Sequence, residues 1–118
     1  MTQRFCLALD LQNDPALIET YKQWHQPGSV PAAVTRSIRD AGILEMEIWQ
    51  VHDRLFMIME VGPDFSFAAK AAADMASEQV QAWEKLMWAF QKALPQSPPD
   101  EKWVQMTRLY ALSEQPAS

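Results

Sequence analysis

Residues 43–61 read ILEMEIWQVHDRLFMIMEV. Two apolar-rich runs flank His52-Asp53. Ile43 to Val51 alternates, with Leu44, Met46 and Ile48 on one side and Glu45, Glu47 and Trp49 on the other, the period of a strand. Leu55 to Val61 is apolar almost throughout, so both of its faces are expected to be covered. His52-Asp53 then serves as a two-residue hairpin turn, although it lacks the favoured glycine.

Working outward, Phe5 to Leu11 is an apolar run followed by the turn cluster Gln12-Asn13-Asp14-Pro15, which marks a buried strand. Asp14 suits an N-cap and Pro15 the first helical position. The helix they open places Leu17 or Ile18, then Tyr21, Trp24 and His25 on its inner face. Pro27 and Gly28 stop it. Ser29 to Pro31 open a second helix with Val34, Ile38 and Ala41 inward and Gly42 as its stop. After the hairpin, Gly62-Pro63-Asp64 ends the strand and Ser66 to Ala76 predicts a short helix. Ser77 caps a stronger one, with a stripe of Val80, Trp83, Met87, Phe90 and Leu94. Pro95 to Lys102 is a proline-rich loop, Trp103 to Leu112 a last strand, and residues 113–118 a frayed tail.

Strand, helices, strand, strand, helices, strand is the split β-α-β order of an α+β, ferredoxin-like domain with a four-stranded antiparallel sheet. Residues 1–118 are read as one such domain, with no internal repeat. One face of a four-stranded sheet stays open unless something covers it. The outward Trp49 and the two-sided apolar strand predict a second copy there, sheet against sheet, in a homodimer.

The chain has 118 residues, 48% apolar and 21% charged, as in an ordinary globular domain. Its formal net charge of -5 repels phosphate backbones, so no nucleic-acid partner is expected. The single cysteine, Cys6, forms no internal disulfide, and with two histidines it is too little for a structural Cys/His zinc site. Asp10 interrupts the first apolar run early, and no stretch approaches the ~20 apolar residues of a membrane span. The expectation is a cytoplasmic protein with no membrane partner.

No glycine-rich phosphate loop, nucleophile elbow or His-Glu-x-x-His pattern is present, and three glycines are few for a nucleotide cradle. The chemistry must come from single side chains. His25 stands first: it is four residues from Tyr21 and so shares its helical face. It also ends a helix, where unpaired carbonyls favour the imidazolium, and a histidine poised near neutral pH can give and regain a proton. A half-buried histidine bonding a carbonyl is the plainer reading. Trp83 and Glu84 form the second group. An indole beside a polar cavity can stack on the apolar face of a sugar, and an inward carboxylate is a base or hydroxyl acceptor. Core tryptophan and surface glutamate are the plainer readings. Asp10, Glu45, Glu47 and Glu60 lie on strands, where Arg4, Arg54 or Arg108 can pair with them. His52 reads as a solvated turn residue, Cys6 as a small buried hydrophobe, and the methionines as core filler.

Taken together, Tyr21-x-x-x-His25, the Gly42 turn into a strand, the hairpin run Leu55 to Val61, the Trp83 helix and the closing Leu109-Tyr110 resemble the L-rhamnose mutarotase family, from about Arg4 to Leu112. The stretches 42–49, 54–61, 83–88, 90–95 and 101–103 look like the family's L-fucose branch. The resemblance implies a dimeric α/β barrel in which His25 is the proton donor and Tyr21 and Trp83 contact the sugar. Glu84 is carried over as a further sugar contact. The rhamnose enzymes usually carry tyrosine where Met46 stands, a Trp-Trp pair where Trp83-Glu84 stands, and Trp-Pro soon after the histidine, where this chain has Val30-Pro31. The implied activity, exchange of pyranose anomers, needs no metal, cofactor or covalent nucleophile, and one placed acid/base supplies roughly 10²–10⁴-fold. A non-catalytic dimeric sugar- or metabolite-binding module is the alternative. An oxygenase or haem-handling protein on a related fold is a third, weaker in support.

Overall fold

The computed structural model describes residues 2–117. Strand β1 (Gln3–Leu11) leads into helices α1 (Pro15–Trp24) and α2 (Ala32–Asp40), then strands β2 (Ile43–Val51) and β3 (Arg54–Val61). Helices α3 (Phe67–Met75) and α4 (Glu78–Trp88) follow, then the two-residue strands β4 (Gln91–Lys92) and β5 (Val104–Gln105) and a 3₁₀ turn at Leu112–Glu114. The sheet runs β2-β3-β1-β4, with β5 also pairing on β1, and every pair is antiparallel. This is the expected α+β order, with β4 as a fifth short strand beside the four read from the sequence. Among the described residues, no helix is long and apolar enough to cross a membrane.

Local chemistry sets the helix starts. Asp14 accepts from the N–H groups of Ala16 and Leu17, with Pro15 in the first turn, while Ser66 and Ser77 cap α3 and α4. The hairpin turn forms without glycine because His52 takes the left-handed region, at φ 53°. That conformation is costly for most side chains but supplies the reversal.

Alternation along β3 divides the sheet into two faces. Leu55, Met57, Met59 and Val61 are buried, whereas Phe56, Ile58 and Glu60 are half-buried. Within a single chain the strand is therefore covered fully on one face only, and the other face is the one for which the sequence predicts a second copy. Leu9, Leu11, Leu55 and Val61 are the most completely buried side chains, each contributing about 1.5–3 kcal/mol by burial.

Three expectations are corrected. Within β2 a bulge between Ile43 and Glu45 puts Ile43 opposite Val61 in the core and leaves Leu44 61% exposed. Met46 and Ile48 keep the helix-facing side, and Glu45, Glu47 and Trp49 the open side. Helix α4 stops at Trp88, so Phe90 and Leu94 are not on it: the Gln12 N–H takes the Phe90 carbonyl at 2.8 Å and Gln91 pairs with Leu11. The last strand shrinks from Trp103–Leu112 to Val104–Gln105: β4 holds Asp10 and Leu11 on the same β1 edge and so bounds its start, and past Gln105 the Met106 N–H reaches the Cys6 carbonyl at 2.7 Å before the chain leaves the sheet. Beyond it Met106, Leu109, Tyr110 and Leu112 are exposed. Ser113 and Glu114 lie in the 3₁₀ turn, and Ser118, at the end of the expected frayed tail, lies outside the described residues.

On the open face, Asp10 and Arg54 are cross-strand partners, and the guanidinium grips the carboxylate through Nε at 2.7 Å and Nη2 at 3.2 Å. This is one of the expected carboxylate–arginine pairs. Arg108 instead pairs with Glu114 in the exposed C-terminal segment. Cys6 is half-buried on that open face rather than enclosed.

Gly42 joins α2 to β2 at φ 92°, where a Cβ would meet nothing closer than 3.9 Å. Strain, not crowding, therefore decides what a side chain does there. Gly42→Ala is expected to cost about 1–2 kcal/mol of stability. Urea denaturation checks this; an unchanged midpoint would contradict it.

Candidate active site

The end of α1 builds the first half of the site. His25 is the C-cap, and its backbone N–H turns to the Lys22 carbonyl at 3.1 Å instead of the Tyr21 carbonyl four residues back. The Tyr21 carbonyl is taken by the His25 ring, whose Nδ1 lies 2.7 Å away. A carbonyl only accepts, so Nδ1 carries a hydrogen and Nε2 is left as the exchangeable nitrogen. The Tyr21 and His25 rings lie 4.3 Å apart, on one side of the helix as their spacing predicts.

The second half comes from α4. Trp83 lies 5.8 Å from the His25 ring and meets Trp24 edge-on at 5.9 Å. Tyr21, His25, Trp83 and Glu84 all line one cavity of about 550 Å³ between the helices and the sheet. All four sequence-derived candidates are thus brought together. Met46 and Val30, which stand where the resemblance expects aromatics, line it as well. His25 and Val30 also border a more open hollow alongside Pro27, Gly28 and Arg36. Among the described residues, no three His, Cys, Asp or Glu side chains converge on a metal-sized point.

Three lining residues were not anticipated. Gln91, on β4, is 5% exposed, and its Nε2 donates to the Tyr21 hydroxyl at 3.3 Å. Lys102, from the proline-rich loop, donates to the Glu84 backbone carbonyl at 3.1 Å. Trp103 adds a further aromatic wall. Gln91 and Lys102 follow no periodicity that sequence inspection could use. Trp103 was visible as the start of a strand and, like Gln91 and Lys102, inside a stretch that looks like the L-fucose branch, but with no role in a site.

Burial sets the electrostatics. The Tyr21 phenol is pushed up to about 12, mainly by desolvation, with the Gln91 bond opposing weakly. It is a permanent donor in any ordinary buffer. Burial also holds the His25 imidazole below its usual 6.5, while the Tyr21 carbonyl pulls the other way. The expectation that helix-end carbonyls favour the charged ring is therefore corrected: one carbonyl bond is outweighed by lost hydration. His52 lies exposed in its turn, as expected, and takes no part in the site.

A family model described as L-rhamnose mutarotase matches residues 4–112. An L-fucose mutarotase of Xanthomonas campestris pv. campestris is 54% identical over 112 residues, covering 95% of this chain and 90% of that protein. A UPF0734 protein of Dictyostelium discoideum is 32% identical over 114 residues, covering 92% of this chain and 88% of its own length. The crystal structure of an L-rhamnose mutarotase from Formosa agariphila has the same fold, with a TM-score of 0.67 at 17% identity, covering 93% of this chain and 98% of that one.

A depressed imidazole has a visible consequence. In ¹H–¹³C NMR the His25 ring should titrate with a midpoint below 6.5. Because the folded form then binds fewer protons than the unfolded one, this group's stabilisation is full above 6.5 and lost as pH falls through the lower, folded value. His25→Gln should flatten that acid-side loss in urea unfolding. A midpoint at or above the ordinary value would contradict the assigned balance.

Proposed function

The chain belongs to the L-rhamnose mutarotase family, and on that premise we propose that it interconverts the α and β anomers of a 6-deoxy-L-sugar pyranose, L-fucose first and L-rhamnose next. Family membership makes it an isomerase. The preference for fucose is supported by the name of the Xanthomonas relative and by Met46 and Glu84, which offer the sugar a different grip from two aromatics.

The observation that carries the reading is the His25 ring, pinned through Nδ1 and lining a cavity it shares with Tyr21, Trp83 and Glu84. Opening the ring requires a proton on the ring oxygen and loss of one from the anomeric hydroxyl. His25 donates from Nε2 to the ring oxygen. The carboxylate of Glu84, or a water it holds, takes the anomeric proton. The C–O bond breaks, the aldehyde rotates, and closure returns both protons to their donors. Atoms and charges balance with no metal, cofactor or covalent intermediate. Low pKa makes the imidazolium a stronger acid, and burial strengthens each hydrogen bond in the cavity. Tyr21 donates to a hydroxyl, since its own ionisation is out of reach. Trp83 faces the apolar side of the sugar.

The partner is a second copy of the chain. Trp49, Val51, Phe56 and Ile58 share the open face of the sheet, and Trp49 is 60% exposed. An apolar patch of this kind, set among Glu45, Glu47 and the Asp10–Arg54 pair on the same face, fits a self-complementary contact.

Saturation-transfer NMR between the anomers of L-fucose tests the activity. His25→Ala should lower the exchange rate roughly 10²–10⁴-fold. In the parent, kcat/KM should fall as pH rises through the His25 titration; a rise would make the neutral ring the working form and overturn the donor role. Tight sugar binding without exchange would select the binding-module alternative. For the dimer, sedimentation should give twice the 13.5 kDa chain mass, and Trp49→Arg should shift it toward the monomer. A parent that sediments as a monomer would remove that part of the reading.

A further inference from the structure

Three cations line the cavity, Arg39, Lys70 and Lys102; Lys70 is paired with Asp74 and Arg39 is exposed, which leaves Lys102 as the half-buried one without a task in the scheme above. Lys102 is half-buried and lines the same cavity as His25, Trp83 and Glu84. Its ammonium donates to the Glu84 carbonyl and lies 5.3 Å from the centre of the Trp88 ring. Trp88 holds the stem and one face of the charge. An ammonium has three N–H donors, and among the described residues only the one bond to Glu84 is made. No carboxylate lies within ion-pair distance of it among those residues, unlike Arg54, Lys70 and Arg108. A desolvated ammonium with spare donors is costly to leave unfilled and well suited to a hydroxyl oxygen.

Glu84 supplies the complementary group from the same stretch of helix. Its backbone anchors Lys102 while its carboxylate offers an acceptor, and that carboxylate favours the charged amine against the pull of burial. A donor and an acceptor side by side match two neighbouring hydroxyls, one accepting and one donating.

We propose that Lys102 binds the substrate: while Glu84 takes the anomeric hydroxyl, Lys102 grips the hydroxyl on the neighbouring ring carbon and so sets the preference among 6-deoxy-L-sugars. L-fucose and L-rhamnose differ in configuration at two ring carbons. A pair fixed to one helix fits one arrangement of vicinal hydroxyls better than the other. This deepens the mutarotase reading and rests on it.

Lys102→Met keeps the stem on Trp88 and removes the donors. Anomer-exchange kinetics should show KM for L-fucose raised about tenfold with kcat nearly unchanged, as for loss of a charged hydrogen bond. The advantage of L-fucose over L-rhamnose in kcat/KM should shrink, and Lys102→Arg should restore part of it. An unchanged KM in a folded Lys102→Met protein overturns the proposal. So does an equal loss for both sugars, which would mean that Lys102 only pins its loop to α4. Circular dichroism melts establish that each variant is folded. If the parent exchanges no anomers, the mutarotase reading falls separately. Calorimetric binding of L-fucose then judges Lys102 alone: a tenfold weakening in Lys102→Met supports the contact and equal binding overturns it.

Discussion

The carbonyl of Tyr21 is the point on which the site depends. In an uninterrupted helix it would accept the backbone N–H of His25. Here α1 ends, that N–H turns to Lys22, and the imidazole fills the vacancy at 2.7 Å. A helix terminus leaves orphan carbonyls that need partners. Satisfying one with a side chain fixes the imidazole's tautomer, its rotation and the nitrogen it presents. The same residue therefore finishes the helix and is the acid of the proposed mechanism. Pro27 and Gly28, with Gly28 at φ 84°, take the chain away directly afterwards and keep the helix from extending past it.

Burial then separates the two titratable side chains of that helix face. Desolvation raises a phenol and lowers an imidazole, because in each case it penalises the charged form. The effect leaves Tyr21 a neutral donor and His25 a ring that is mostly neutral near pH 7 but acidic once protonated. Gln91 completes the arrangement. It is buried on β4, its side chain donates to Tyr21, and its backbone carbonyl accepts from the Gln12 side chain. β4 is only two residues long, yet it puts a polar contact under the phenol that the helix could not supply.

Where the cause is local, the sequence was a sufficient guide. Asp14-Pro15, Ser66 and Ser77 announced helix starts because capping involves residues two or three apart. Tyr21 and His25 announced a shared face because a helix turn makes i and i+4 neighbours. The hairpin was legible from alternation on both sides of His52-Asp53. What escaped depends on distant competition. The start of β5 is bounded by β4 on the same edge, and the end of α4 by Gln12 and Leu11 claiming the residues that follow. Gln91 meets Tyr21 from 70 positions away and Lys102 meets Glu84 from 18. No periodicity links such pairs, and the bulge that swaps Leu44 for Ile43 breaks the one period that seemed secure.

That bulge also explains how a thin sheet serves two purposes. Period-two alternation sends Met46, Ile48, Met57 and Met59 toward the helices, where all four line the cavity. It sends Trp49, Phe56 and Ile58 the other way. A strand that simply alternated from Gly42 onward would place Leu44 beneath the helices and Ile43 outside. One extra residue resets the phase, so Ile43 closes the core beside Val61 while the rest of β2 keeps its register with β3. Flexible methionines then form much of the floor of the cavity, where they can adjust to an occupant without disturbing the backbone. The opposite face is free to be apolar for a different reason. A change on that face leaves the cavity side chains untouched, and so separates the proposed dimer contact from the proposed chemistry, because the pleat keeps the two sets of side chains apart.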